Sequence, residues 1–109
     1  MSGSYAVVYS PQALEDLRDI ASYLTLTLHA PDAAKRLTGR IRKQIRELGH
    51  LPTRHPLVDW EPWHSMNLRH VPVGHFVVFY RVQEAAQTVT VIRIVYGGRD
   101  LTELFPFKF

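Results

Sequence analysis

The sequence predicts an α+β fold: an N-terminal strand, then a two-helix antiparallel hairpin packed on a curved, mainly antiparallel sheet. Three observations predict it. A β-branched and aromatic run opens the chain, two amphipathic stripes follow with no strand between them, and three alternating runs come after. Elements that arrive in blocks, rather than strand alternating with helix, point to α+β. With 109 residues, 46% of them hydrophobic, the chain is expected to form a single domain over 1–109 around one core.

Tyr5 to Tyr9 (YAVVY) reads as the first strand. Ser10 and Pro11 then supply an N-cap and a proline for the first helical position, with Glu15, Asp16 and Asp19 in the early turns. Leu14, Leu17, Ala21, Leu24 and Leu28 recur at helical steps, so the first helix is expected to reach about Leu28. His29 to Asp32 interrupts it. Ala34, Leu37, Ile41, Ile45 and Leu48 repeat the stripe in a second helix, which Gly49 and Pro52 end. So short a connection makes the pair an antiparallel hairpin.

PTRHPLVDWEPW, from Pro52 to Trp63, is too rich in proline for a regular element and too aromatic for a free linker. It reads as an ordered loop, with Trp60 and Trp63 as a plug over the core. Strands are expected at Asn67 to Val73, His75 to Val82 and Thr88 to Tyr96, and the alternate Phe105, Phe107 and Phe109 suit an edge strand or a closure over the core. In the middle strand, Phe76, Val78, Tyr80 and Val82 fall on one face; in the last, Val89, Val91, Arg93 and Val95 do. Helices on one face leave the other partly open, and Arg81 and Arg93 are expected to mark that open face. Arg69, His70, His75, Tyr96 and Arg99 then gather near strand ends as a concave anion site.

Composition removes several classes of function. The absence of cysteine excludes disulfides and thiolate zinc sites. The irregular spacing of His50, His55, His64, His70 and His75 argues against any other metal site, so neither metal nor cofactor is expected. No phosphate-binding loop or serine nucleophile motif occurs, and no apolar run or signal peptide suggests a membrane, so a cytoplasmic protein is expected. The net charge of +3 is unevenly placed. Lys35, Arg36, Arg40, Arg42, Lys43 and Arg46 lie between Asp32 and Glu47, a block that suits an anionic partner, or simply a solvated helix face.

YAVVYSPQALEDLRDIASYL, LRHVPVGHFVVFYRV and VTVIRIVYGGRD, in this order, resemble the RelE/ParE superfamily of bacterial type II toxins, over Tyr5 to about Phe105. The resemblance implies a growth-arresting toxin that forms a hetero-oligomer with its antitoxin. It also implies one of two targets: mRNA on the ribosome, or DNA gyrase. The reading taken from the sequence is a metal-independent, ribosome-dependent mRNA endonuclease. The alternatives are a gyrase inhibitor without nuclease activity and a non-toxic nucleic-acid-binding module.

Cleavage without metal uses the 2′-hydroxyl of the RNA and asks the protein for a base, an acid and cations on the phosphorane. Arginine forks match phosphate oxygens well. The resemblance therefore makes Arg69 and Arg99 candidate catalytic cations and His70 or His75 candidate acid or base. Lys35, Arg36, Arg40, Lys43, Arg81 and Arg93 are the candidate RNA-binding residues. Three features differ from the nuclease pattern: Val77 in place of an arginine, Phe105 in place of a residue able to transfer a proton, and a long hairpin from Ser10 to Leu51 that is nearer the gyrase-directed branch.

Overall fold

The structure, a computed structural model, describes residues 4–97 of the chain. The elements are β1 (Ala6–Tyr9), α1 (Pro11–Ser22), a π-helical turn (Tyr23–Thr27), α2 (Pro31–Glu47), a 3-10 turn (Pro52–Arg54), β2 (Leu68–Val73), β3 (Phe76–Gln83) and β4 (Thr88–Tyr96). The sheet order is β1-β4-β3-β2, with β1 parallel to β4 and the other neighbours antiparallel. The α+β architecture expected from the sequence is therefore the one observed. Arg99 and the Phe105, Phe107 and Phe109 tail lie outside the described residues.

Ser10 starts α1 as expected, its hydroxyl accepting from Ala13 N at 3.0 Å. The same hydroxyl donates to Ile92 O at 2.9 Å, which ties the helix start to β4. The buried side of α1 differs from the expected stripe. Ala13, Asp16 and Leu17 are buried, whereas Leu14 is 40% exposed. An acid stands on the buried side because the sheet supplies partners for it, described below. Regular helix also ends earlier than expected, at Ser22, and the wider π turn leaves Leu28 exposed.

α2 is a helix of 17 residues opened by Pro31, and it buries Ala34, Ile41 and Ile45 as its periodicity predicts. Ile41 and Ile45, together with Ala13, Leu17 and Leu48, pack on Val71, Val73, Val78, Tyr80, Val89, Val91 and Ile94 of the sheet. Each fully buried aliphatic side chain of this layer contributes about 2 kcal/mol of transfer free energy. Strand β3 keeps its expected faces, but β4 does not. Phe79 pairs with Arg93 while Tyr80 pairs with Val91, so Ile92 is an extra residue in β4. This bulge reverses the alternation: Val89, Val91 and Ile94 face the helices, and Ile92 and Val95 face away.

The far face of the sheet is not open. The loop expected to be ordered crosses it, and Val58 and Trp63 pack on Leu68, Phe79, Ile92 and Val95 in a second core, with Trp60 and Met66 at its margin. The tryptophans are thus a plug, as read from the sequence. Only part of the expected concave face remains: Arg81 stays half-buried, while Arg93 is 9% exposed.

Candidate functional site

β1 ends at Tyr9, opposite Val91, so among the described residues the rest of β4 has no strand beside it on that edge. The start of α1 takes the strand's place. Ser10 N donates to Val91 O at 2.9 Å, and Asp16 Oδ2 accepts from Ile94 N at 2.9 Å. Arg93 reaches round the same edge, its Nε 2.7 Å from Asp16 Oδ2 and its Nη2 3.0 Å from Oδ1. A bidentate fork on a buried carboxylate is among the stronger polar contacts in a fold. Arg93, expected on an open RNA-binding face, is instead engaged inside the molecule. Sequence reading missed Asp16, although an acid on an apolar helical stripe and an arginine in an apolar strand signal a buried pair.

Arg69 also points into the fold. Its Nη1 donates to Thr53 O at 3.2 Å and His55 O at 2.6 Å. Tyr80 donates to Pro52 O at 2.6 Å, and burial pushes its hydroxyl pKa up to about 12, against the opposing charges of Arg69 and Arg54. His70 N donates to Pro56 O, and Val58 N to Leu68 O. Segment 52–58 is thereby strapped along the edge of β2, covering a strand edge that would otherwise be free to pair.

His55 sits in this strap, its ring edge-on to Tyr80 at 6.3 Å. Its Nε2 is buried with no hydrogen-bond partner. Burial pulls its pKa down, and the charges of Arg54, His70 and Arg69 add to the effect. The His70 ring tilts against Phe79 at 6.2 Å. Arg54, His55, Arg69 and His70 therefore form one cluster at the edge of β2.

His75 is not part of it. Roughly 14 Å of strand separates Arg69 from the β2–β3 turn that carries His75. His75 lines a groove of about 760 Å³ with Asp19, Tyr23, Phe76 and Tyr96, between α1 and the ends of β3 and β4. Phe76 and Tyr96 meet edge to face there at 5.7 Å. The expected cluster of Arg69, His70, His75 and Tyr96 thus divides into two places. Among the described residues, no group of three or more His, Cys, Asp or Glu is arranged to hold a metal ion. Nor is any described helix long and apolar enough to cross a membrane.

The cations of α2 divide as well. At about 100° per residue, Arg36, Arg40 and Lys43 fall within roughly 60° of one another, on one flank, and Lys35, Arg42 and Arg46 fall on the other. Arg42 and Arg46 lie close enough to Tyr9 to oppose the rise that burial causes in its pKa. Arg40 and Lys43 instead meet the β2–β3 turn, lining a cavity of about 320 Å³ with Gln44, Glu47 and Gly74. Lys35, Arg36, Arg40 and Lys43 are all exposed.

Residues 7–101 match the family model described as the ParE toxin of the type II toxin-antitoxin system parDE. A search of curated protein sequences finds no match. Among solved structures, the chain is similar to one from a chromosomal ParDE system of P. aeruginosa, with a TM-score of 0.70 and 19% identity over 87% of this chain and 98% of that one. It is also similar to a chain of the RelBE2 toxin-antitoxin complex from Mycobacterium tuberculosis, with a TM-score of 0.67 and 16% identity over 88% and 94%. The isolated E. coli RelE toxin matches with a TM-score of 0.57 and 14% identity over 93% of each chain. At these identities the structures speak for the fold, and the family match covers most of the sequence: the chain belongs to the ParE toxin family of type II toxin-antitoxin systems, within the RelE/ParE superfamily.

Proposed function

We propose that the chain arrests growth as the toxin of a two-protein module, is neutralised by a cognate antitoxin in a hetero-oligomer, and acts by binding, as a non-nucleolytic inhibitor of DNA gyrase. Among the described residues, Arg69 carries the choice of mechanism. A metal-independent nuclease needs arginine forks free to meet a phosphorane, and here Nη1 of Arg69, the described candidate for that role, holds two backbone carbonyls, while Arg93, the candidate for gripping RNA, is forked on Asp16. The long helical hairpin supports the same reading, and so does the family matched. For the antitoxin, support comes from relatives that are themselves toxin-antitoxin assemblies.

Inducible expression, with and without the product of any adjacent reading frame, tests the proposal. Expected are growth arrest that the neighbour relieves, gyrase-linked DNA breaks and unchanged mRNA ends. Normal growth at verified soluble expression contradicts it.

Ribosome-dependent mRNA cleavage is the second reading, favoured by the joining of His55 and His70 with Arg54 and Arg69 at the edge of β2. It predicts new mRNA ends after induction, lost in Arg69→Ala and in variants of Arg99 and of whichever histidine, His70 or His75, moves the proton.

A further inference from the structure

Gly74 holds a backbone angle of φ +59°, as the first residue of a two-residue type II′ hairpin turn requires, and this brings the β2–β3 turn against α2. A Cβ at Gly74 would stand 3.6 Å from Arg40 Nη1 and 3.8 Å from Nη2, so the missing side chain leaves the guanidinium face uncovered. Lys43 lies three residues on, along the same flank, with the Gln44 amide beside it in the cavity of about 320 Å³.

Among the described residues, neither cation is held in an ion pair. Glu47 lines the same cavity, one turn beyond Lys43, yet the described ion pairs are Arg18 with Glu15 and Arg93 with Asp16. A planar fork, a compact ammonium and an amide donor converging on one hollow are suited to the oxygens of a phosphodiester. Arg36 stands one turn before Arg40, roughly 6 Å along the helix, and extends the cationic row in a straight line.

We propose that the cavity between α2 and the β2–β3 turn, built by Arg40, Lys43, Gln44 and Gly74, is a phosphate-binding site that grips the backbone of duplex DNA without reading its sequence. The commitment to DNA rests on the gyrase reading above; the site would place the toxin on the DNA that its target holds. Backbone contacts of this kind release counterions, so affinity depends steeply on salt. The other flank of α2, with Arg42 and Arg46, faces away from the cavity and is the internal control.

Fluorescence anisotropy of a labelled duplex with the purified chain, without gyrase, tests the site independently of toxicity. Arg40→Ala with Lys43→Ala should weaken binding roughly tenfold or more and reduce the salt slope by about 1 to 2. Arg42→Ala with Arg46→Ala should stay within about twofold, and Glu47→Gln, which removes the acid from the hollow, should tighten binding. Equal losses from both flanks would reduce the site to a diffuse positive field and overturn the proposal. Wild-type affinity in the first double variant would also overturn it, as would a preference for single-stranded RNA that depends on Arg40 and Lys43. If the site is sound but gyrase is unaffected by the toxin, duplex binding survives while the proposed target falls.

Discussion

Asp16 accepts from Arg93 Nε at 2.7 Å, Arg93 Nη2 at 3.0 Å and the amide of Ile94 at 2.9 Å, with Gln12 Nε2 at a longer 3.4 Å. The helix carboxylate thus stands in for a neighbouring strand where β1 runs out, and it holds the far half of β4 against α1. A charge buried at an unpaired strand edge is tolerable only with such a set of partners.

Asp16→Ala should therefore cost about 3 to 5 kcal/mol, because it takes the buried carboxylate away from the Arg93 guanidinium and from the Ile94 amide. Asp16→Asn should cost less, since its side-chain oxygen still accepts from Ile94. Asp16→Leu combined with Arg93→Met should lose clearly less than the sum of the single losses. Urea unfolding of the cycle measures this, and strictly additive losses would mean that the pair is not coupled.

Two glycines should respond in opposite directions to alanine. Gly39 lies exposed within α2 with no atom within 4 Å of its would-be Cβ, so Gly39→Ala should stabilise by about 0.5 to 1 kcal/mol through helix propensity. At Gly49 a Cβ would come 2.9 Å from Tyr5 O, a backbone atom. Tyr5 N also donates to Gly49 O at 2.8 Å, so Gly49→Ala should push the start of the chain away and lower the melting temperature. Thermal unfolding of the two variants reads both signs.

His55 should make the strap sensitive to acid. The unfolded chain protonates this histidine near about 6.5, whereas burial and the surrounding cations hold it neutral to lower pH in the fold. The unfolded state thus binds more protons as pH drops below about 6.5, and stability falls there until the folded-state pKa has also been passed. Melting temperatures of wild type and His55→Gln should diverge below that pH, the variant losing less. Parallel curves would remove His55 from the account, and the difference cancels the other histidines.

Local signals carried much of this fold. Ser10-Pro11, the α2 stripe and the alternation of β3 each depend on near neighbours, and each appears as read. The bulge at Ile92 is invisible to alternation, because an inserted residue reverses every face beyond it. Arg93 escaped for a different reason: its partner, Asp16, comes from α1, far away in the sequence. Arg69 escaped for a related reason. Its partners are backbone carbonyls of Thr53 and His55, which carry no side-chain signature. The cationic block of α2 was legible as composition and its two flanks follow from helical spacing, but which flank meets the β2–β3 turn depends on the packing of Gly74 against Arg40.

The most direct test of the central claim, that this toxin acts by binding gyrase and not by cutting RNA, is supercoiling of relaxed plasmid by purified gyrase across a titration of the purified chain. The account predicts that supercoiling is lost, and that gyrase-linked cleaved DNA accumulates, as the toxin approaches the enzyme's own concentration. Undiminished supercoiling at a large excess of a preparation that still arrests growth in cells would contradict it.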